Sequence, residues 1–264
     1  MNPAELVERF SEQHLLAFAL VLARVAPLFL LAPLFSSKAF PPRARGVTAV
    51  ALAIGISPVA TGALGDGVVP DGIWDLGALM LKEMLVGMAF AFGIAALFAA
   101  LSTAGALLDT MTGFMLAGIM DPITGTQSSV LTQLYQMVGI LIFIAIGGDG
   151  WVIAGLARTY EAVPLLEAPQ IGSLTEGAQV AFAGIFGAAI MVCAPVLVAL
   201  IITEVALGVV SRVVPQINVF AVGFPAKIAV GFIMIGASLP FAAGWLSDEL
   251  QRSVATALQT LRVA

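Results

Sequence analysis

The stretch GALMLKEMLVGMAFAFGIAALFAALSTAGALL, residues 77–108, holds two charged side chains, Lys82 and Glu83, in 32 positions. Its apolar residues run continuously and do not alternate, which argues for helix and against a membrane β-barrel strand. As an α-helix it measures ~48 Å at ~1.5 Å per residue. The hydrocarbon core of a bilayer is only ~30 Å thick. Either the helix tilts strongly, or protein surrounds part of it in place of lipid. Small residues recur at every fourth position (Gly87, Ala91, Ala95, Ala99, Thr103), with a second row at Ala96, Ala100 and Ala104. Such stripes let helix backbones approach closely, where van der Waals packing drives association in lipid. They serve packing within the chain or packing against other subunits, and the length of the run favours the second.

The rest of the chain agrees with a membrane setting. Of 264 residues 60% are apolar and 10% charged, and the mean hydropathy is +1.06. Further apolar runs lie at about 15–35, 47–64, 128–147, 177–211 and 221–245. The expected fold is all-α: long, kinked helical hairpins built from about six apolar segments in one integral membrane domain over 1–264. The tail 246–264, LSDELQRSVATALQTLRVA, reads as an amphipathic helix. The acidic N-terminus MNPAELVERFSEQH lacks the basic region of a cleaved signal peptide, so the first apolar segment is expected to be retained. Lys38, Arg43 and Arg45 put the 36–46 loop on the cytoplasmic side, and the 64–76 loop, without Lys or Arg, on the other. Six crossings then leave both termini outside.

Composition also excludes several functions. A net charge of −5 with scattered basic residues argues against nucleic-acid binding. Cys193 is alone in an apolar run and reads as a small core residue. The single histidine, His14, lies outside the apolar runs, and no HExxH, GxSxG or GxxxxGK[ST] motif occurs. No catalytic set and no cofactor or metal site is expected. Arg24, Glu204 and Lys227 are charges inside apolar runs, each costing ~2.5–3.5 kcal/mol or more at a helix centre unless paired or hydrated. Buried ion pairs explain them, as does a midplane site in a small-solute transporter. Transporters often carry inverted repeats, and none is visible here.

The remaining signal is proline and glycine punctuation. TGFMLAGIMDPITG, residues 112–125, is too apolar for a loop in water and too broken for a helix crossing lipid. Irregular backbone at membrane depth is tolerated only where protein buries it or water reaches it. Breaks of this kind recur at RVAPLFLLAPLFSS, RTYEAVP, VVPQINVF and GFPAKIAVG, which suggests a bundle around a conduit.

At these residues the chain resembles the FliR/SctT family of type III export-gate proteins. The likeness is carried by 23–46 (ARVAPLFLLAPLFSSKAFPPRARG), 109–137 (DTMTGFMLAGIMDPITGTQSSVLTQLYQM), 147–164 (GGDGWVIAGLARTYEAVP) and 213–231 (VVPQINVFAVGFPAKIAVG). Asp149 departs from the histidine expected after the Gly-Gly pair in many members. The form NVF..GFP.KI leans towards the flagellar branch over the virulence branch.

The resemblance implies a multi-pass protein of the bacterial inner membrane, at the flagellar basal body. Such a protein assembles laterally with FliP-like and FliQ-like subunits into a helical pore. FlhB associates with that pore, FlhA lies below it, and unfolded flagellar proteins pass through it. It also implies a plug at about 110–122 that closes the pore at rest. Gly113, Phe114, Met115, Leu116, Gly118, Ile119, Met120, Asp121 and Pro122 make up the plug. Its apolar side chains would fill the lumen as a dry constriction, its methionines adapting to irregular gaps. Its glycines permit an irregular loop, and Asp121-Pro122 would end it. Pro215, Gln216, Asn218 and Phe220 form a turn expected to contact FlhB or a FliQ-like neighbour.

Overall fold

The computed structural model describes residues 12–36, 41–62, 72–115, 129–167, 169–216 and 218–262. Every regular element among them is α-helical: α1 (Glu12–Leu31), α2 (Pro33–Ser36), α3 (Pro42–Gly62), α4 (Ile73–Thr112), α5 (Val130–Ala145), α6 (Gly148–Ala162), α7 (Ile171–Val213) and α8 (Val219–Arg262). The apolar run at 15–35 does not continue as one helix. It breaks at Ala32, because Pro33 disfavours helical backbone before it and has no N–H to give. The run at 77–108 extends to 40 residues, and α7 and α8 reach 43 and 44. Each of the three is ~60 Å or more long, about twice a hydrocarbon core. Residues 246–262 are helical but form no separate element, since α8 runs through them from Val219 without a break. The structure thus joins the sixth apolar run to the tail.

Among the described residues four helices, α3, α4, α7 and α8, are long and apolar enough to cross a membrane, and a fifth span arises if α5 and α6 count as one. With the shorter apolar stretch Leu15–Leu31 of α1, these account for the six apolar segments.

The chain divides into two compact units. One holds 1–96, 149–182 and 250–264, the other 97–148 and 183–249. In the first, α1 packs on α3. Ala17, Leu20, Val21, Val25 and Leu28 form the buried stripe of α1, at the three- and four-residue spacing of one helix face. Val86, Val163 and Leu261 make a small core joined by Ala162 and Leu174. Gly155 is wedged beside Phe90 and Val254, where a Cβ would come within 2.9 Å of the Phe90 ring.

In the second unit, α5 lies tightly against the end of α4. A Cβ on Gly105 would come 2.8 Å from the Thr132 nitrogen and 2.9 Å from the Leu131 carbonyl oxygen, so only glycine admits this approach. Phe98 and Phe143 pack with ring centroids 5.5 Å apart. The end of α5 follows from sequence: Gly147 takes φ +68°, and the Gly147 N–H bonds the Ile144 carbonyl at 3.1 Å. A glycine in the left-handed region is the common way to close a helix.

Burial is uneven along the long helices. In the most apolar window of α4, 56% of residues are buried, against 28% in α7 and 17% in α8. The row Ala96, Ala100, Ala104 is fully enclosed by the chain itself, whereas Ala95, Ala99 and Thr103 are half-buried. Of these three helices α4 is the most buried. α7 keeps Phe186, Ile190, Ile202, Val205 and Val209 exposed, an apolar surface that lipid or another protein must cover.

Candidate functional site

The approach to the expected plug begins at the last turn of α4. Thr112 is buried and its hydroxyl donates back to the Leu108 carbonyl at 2.7 Å. Gly113 then ends the helix at φ +88°, with its N–H on the Thr110 carbonyl at 3.3 Å. No side chain with a Cβ adopts that φ cheaply. Phe114 turns onto Phe224 of α8, ring centroids 6.0 Å apart and planes at 71°, an edge-to-face contact. Met115 is half-exposed, and the Thr110 hydroxyl donates to its sulfur at 3.8 Å. Leu116, Gly118, Ile119, Met120, Asp121 and Pro122 lie outside the described residues. The structure therefore brings together the first part of the expected plug with α8.

Asp109, which sequence reading did not single out, organises this corner. It is 4% exposed. Its Oδ1 accepts from the Leu131 N–H at 2.8 Å, and its Oδ2 from the Thr132 N–H at 3.0 Å and the Thr132 hydroxyl at 2.8 Å. The carboxylate thus caps the N-terminus of α5, where unsatisfied N–H groups and the helix dipole favour a negative charge. A lone acid at the end of an apolar helix was the signal available in the sequence.

The three charges that fall inside apolar runs each find a counterion within the chain. Arg24 is fully buried on α1, and its Nε donates to Glu83 Oε2 of α4 at 2.5 Å. Its Nη1 donates to the Val163 carbonyl at 2.9 Å and to the Thr159 hydroxyl at 3.3 Å, and the guanidinium stacks 4.1 Å over the Tyr160 ring. Thr159 accepts from Arg24 while donating to the Leu156 carbonyl at 2.6 Å, so its hydroxyl is used on both sides. The Val163 carbonyl lies just past the end of α6, the helix terminus that favours a cation. Gly87 makes this possible, because a methyl group there would strike the Arg24 carbonyl. In the other unit, Lys227 of α8 pairs with Glu204 of α7; Glu204 is the exposed partner. α4 begins at Ile73, ten residues before Glu83, and Glu83 turns inward to Arg24.

In the turn between α7 and α8, Pro215 and Gln216 are exposed. The Asn218 side-chain oxygen accepts from the Ala221 N–H at 3.2 Å, a helix N-cap for α8. Phe220 lies in the first turn of α8. Asp149, the departure from the resemblance, is exposed in the first turn of α6, where an acidic side chain suits the helix dipole.

The family model described as bacterial export proteins, family 1, matches residues 15–253. The chain belongs to this family of bacterial export proteins. It is similar to the flagellar biosynthetic protein FliR of Bacillus subtilis, 30% identical over 222 residues, covering 83% of this chain and 84% of the relative. It is 29% identical over 222 residues to the FliR of Escherichia coli, covering 84% of each. The surface presentation of antigens protein SpaR of Shigella flexneri is 25% identical over 223 residues, 81% of this chain and 82% of the relative. The family match runs from α1 into the last turns of α8, so the Arg24 cluster, the Asp109 cap and the α7–α8 turn all fall inside it.

Proposed function

We propose that the chain is a structural, pore-forming subunit of the flagellar type III protein export gate, in the bacterial inner membrane at the flagellar basal body. FliP-like and FliQ-like subunits join it laterally, and FlhB and FlhA are its further partners. Unfolded flagellar proteins cross through the pore that these subunits enclose. Residues 110–122 close that pore at rest.

One observation carries this reading beyond the family membership. α4, α7 and α8 are 40, 43 and 44 residues long, about twice what a bilayer requires, and only 28% and 17% of the residues in the most apolar windows of α7 and α8 are buried. Helices of that length in a chain acting alone would put apolar surface into water. Lateral subunits remove the difficulty. Gly113, Phe114 and Met115 add to it, because α4 ends in a left-handed glycine followed by apolar side chains.

The test is deletion of residues 113–120 in the chain co-expressed with its neighbours. The assembled complex should be recovered in normal amount and the membrane should become leaky to small ions. A deletion complex as tight as the parent refutes the plug.

A virulence-type role is the second reading, favoured by the similarity to SpaR. A small-solute transporter is the less favoured reading, since Arg24 pairs with Glu83, and Glu204 with Lys227, within the chain.

A further inference from the structure

We propose that the Arg24 cluster is a hydration site, in which one buried water molecule bridges Arg24 Nη2 on α1 to the Tyr160 phenol oxygen on α6. The site stands whether or not residues 110–122 close a pore.

Arg24 and Tyr160 are both fully buried. The guanidinium commits its Nε to Glu83 Oε2, and its Nη1 to the Thr159 hydroxyl and the Val163 carbonyl. Its Nη2 has no hydrogen-bond partner among the described residues, and neither has the Tyr160 hydroxyl. Two orphaned polar atoms thus belong to one cluster, held together by the guanidinium stacking 4.1 Å over the Tyr160 ring. A buried polar atom without a partner loses its hydration and gains nothing in return, most severely when it carries charge. Folded interiors satisfy such atoms with protein groups or with ordered water.

Geometry and charge decide the partner. The chain itself encloses both residues, so a side chain of a lateral subunit does not reach them. Nor do the two atoms bond each other. The phenol oxygen stands beyond the ring edge and Nη2 beyond the guanidinium carbon, so at this stacking distance they are more than one hydrogen-bond length apart and about two at most. One water spans such a gap. Thr159 does not fill the role, because its hydroxyl already accepts from Nη1 and donates to the Leu156 carbonyl. An anion is disfavoured: Glu83 already neutralises Arg24, and a second negative charge would stand uncompensated in apolar surroundings. A cation would meet the guanidinium. Water is neutral, accepts from Nη2 and bonds the phenol as donor or acceptor. Buried waters typically make about two to four hydrogen bonds, and these two atoms supply the minimum. The bridge adds a polar tie from α1 to α6 beside the two bonds of Nη1.

The experiment is Tyr160→Phe in the full chain, measured by unfolding titration in mixed micelles. It is made in the parent and in the Arg24→Met, Glu83→Leu background, where the guanidinium is gone. Phenylalanine keeps the ring and removes only the hydroxyl. In the parent the unfolded-to-folded ratio should rise roughly tenfold, the effect of losing one bridged bond to a charged group. In the apolar background the same substitution should leave the ratio unchanged or lower it. An unchanged or lowered ratio in the parent overturns the bridge, because deleting an orphaned hydroxyl relieves a penalty. A tenfold rise in both backgrounds overturns it too, since the hydroxyl would then serve a group other than Arg24. A cryo-EM map of the parent complex, at a resolution that shows ordered water, gives a second readout that needs no variant. Density within hydrogen-bond reach of both Nη2 and the phenol oxygen is expected. A protein atom in that place, or no density between them, overturns the proposal. If the apolar background folds poorly, the parent titration and the map decide.

Discussion

Glu83→Leu should destabilise the chain more than the double substitution Arg24→Met with Glu83→Leu. Arg24 is fully buried and Glu83 is 2% exposed, so neither charge can recover its hydration where it stands. Losing Glu83 alone leaves a guanidinium with only neutral partners: the Val163 carbonyl at 2.9 Å, the Thr159 hydroxyl at 3.3 Å and the Tyr160 ring at 4.1 Å. Breaking a buried pair from one side costs about 3–5 kcal/mol. Replacing both members by apolar residues of similar volume is often neutral or stabilising in soluble proteins. Here the double variant also forfeits the charged hydrogen bond to Val163, about 1.5–3 kcal/mol, and the stacking on Tyr160, about 2 kcal/mol for a desolvated cation. A net cost of roughly 1–3 kcal/mol results, below that of the single substitution. The cycle should therefore be strongly non-additive, the double variant costing less than the two single variants together. Unfolding titrations of the full chain in mixed micelles, run on the parent, both single variants and the double, measure it. Additive costs in the cycle would refute the reasoning, as would a Glu83→Leu variant within about 0.5 kcal/mol of the parent.

Three smaller predictions concern close packing and the α7–α8 turn. Gly105→Ala should sharply reduce the folded protein recovered from membranes, because its methyl would meet the Thr132 backbone; Gly184→Ala, with nothing within 4 Å, should be neutral or slightly stabilising. Equal recovery of the two would contradict the packing of α4 on α5. Asn218→Ala should cost about 1 kcal/mol through loss of the α8 cap. Asn218→Cys in the assembled complex should crosslink to FlhB or a FliQ-like neighbour, and crosslinks to neither would count against the turn as a subunit contact.

Much of the site was within reach of sequence reading, but unevenly. The break at Gly113 and the end of α5 at Gly147 followed from glycine at the close of an apolar run. The need for counterions at Arg24, Glu204 and Lys227 followed from the cost of charge in apolar surroundings. The partners did not. Glu83 stands 59 residues from Arg24 along the chain. Asp109 passed unremarked because a cap is normally sought beside the helix it serves, and this one comes from 22 residues upstream. The tail reads as an amphipathic helix, and in the structure its residues to Arg262 are helical as the continuation of α8. Backbone hydrogen bonding does not register a change in polarity, so nothing at 246 ends the helix.

The sequence by itself determined that the chain is an all-α membrane protein, where most of its apolar helices lie, and that its internal charges must be neutralised. These follow from quantities summed along the chain: apolar length against bilayer thickness, the backbone limits of glycine and proline, and the cost of desolvating a charge. Only the tertiary structure decided which groups meet. It chose Glu83 for Arg24, Glu204 for Lys227 and Asp109 for the start of α5. It also enclosed Ala96, Ala100 and Ala104 within the chain and left the surface of α7 uncovered. Helical periodicity defines a face, but which face turns inward depends on neighbours distant in sequence, and those contacts exist only once the helices have packed.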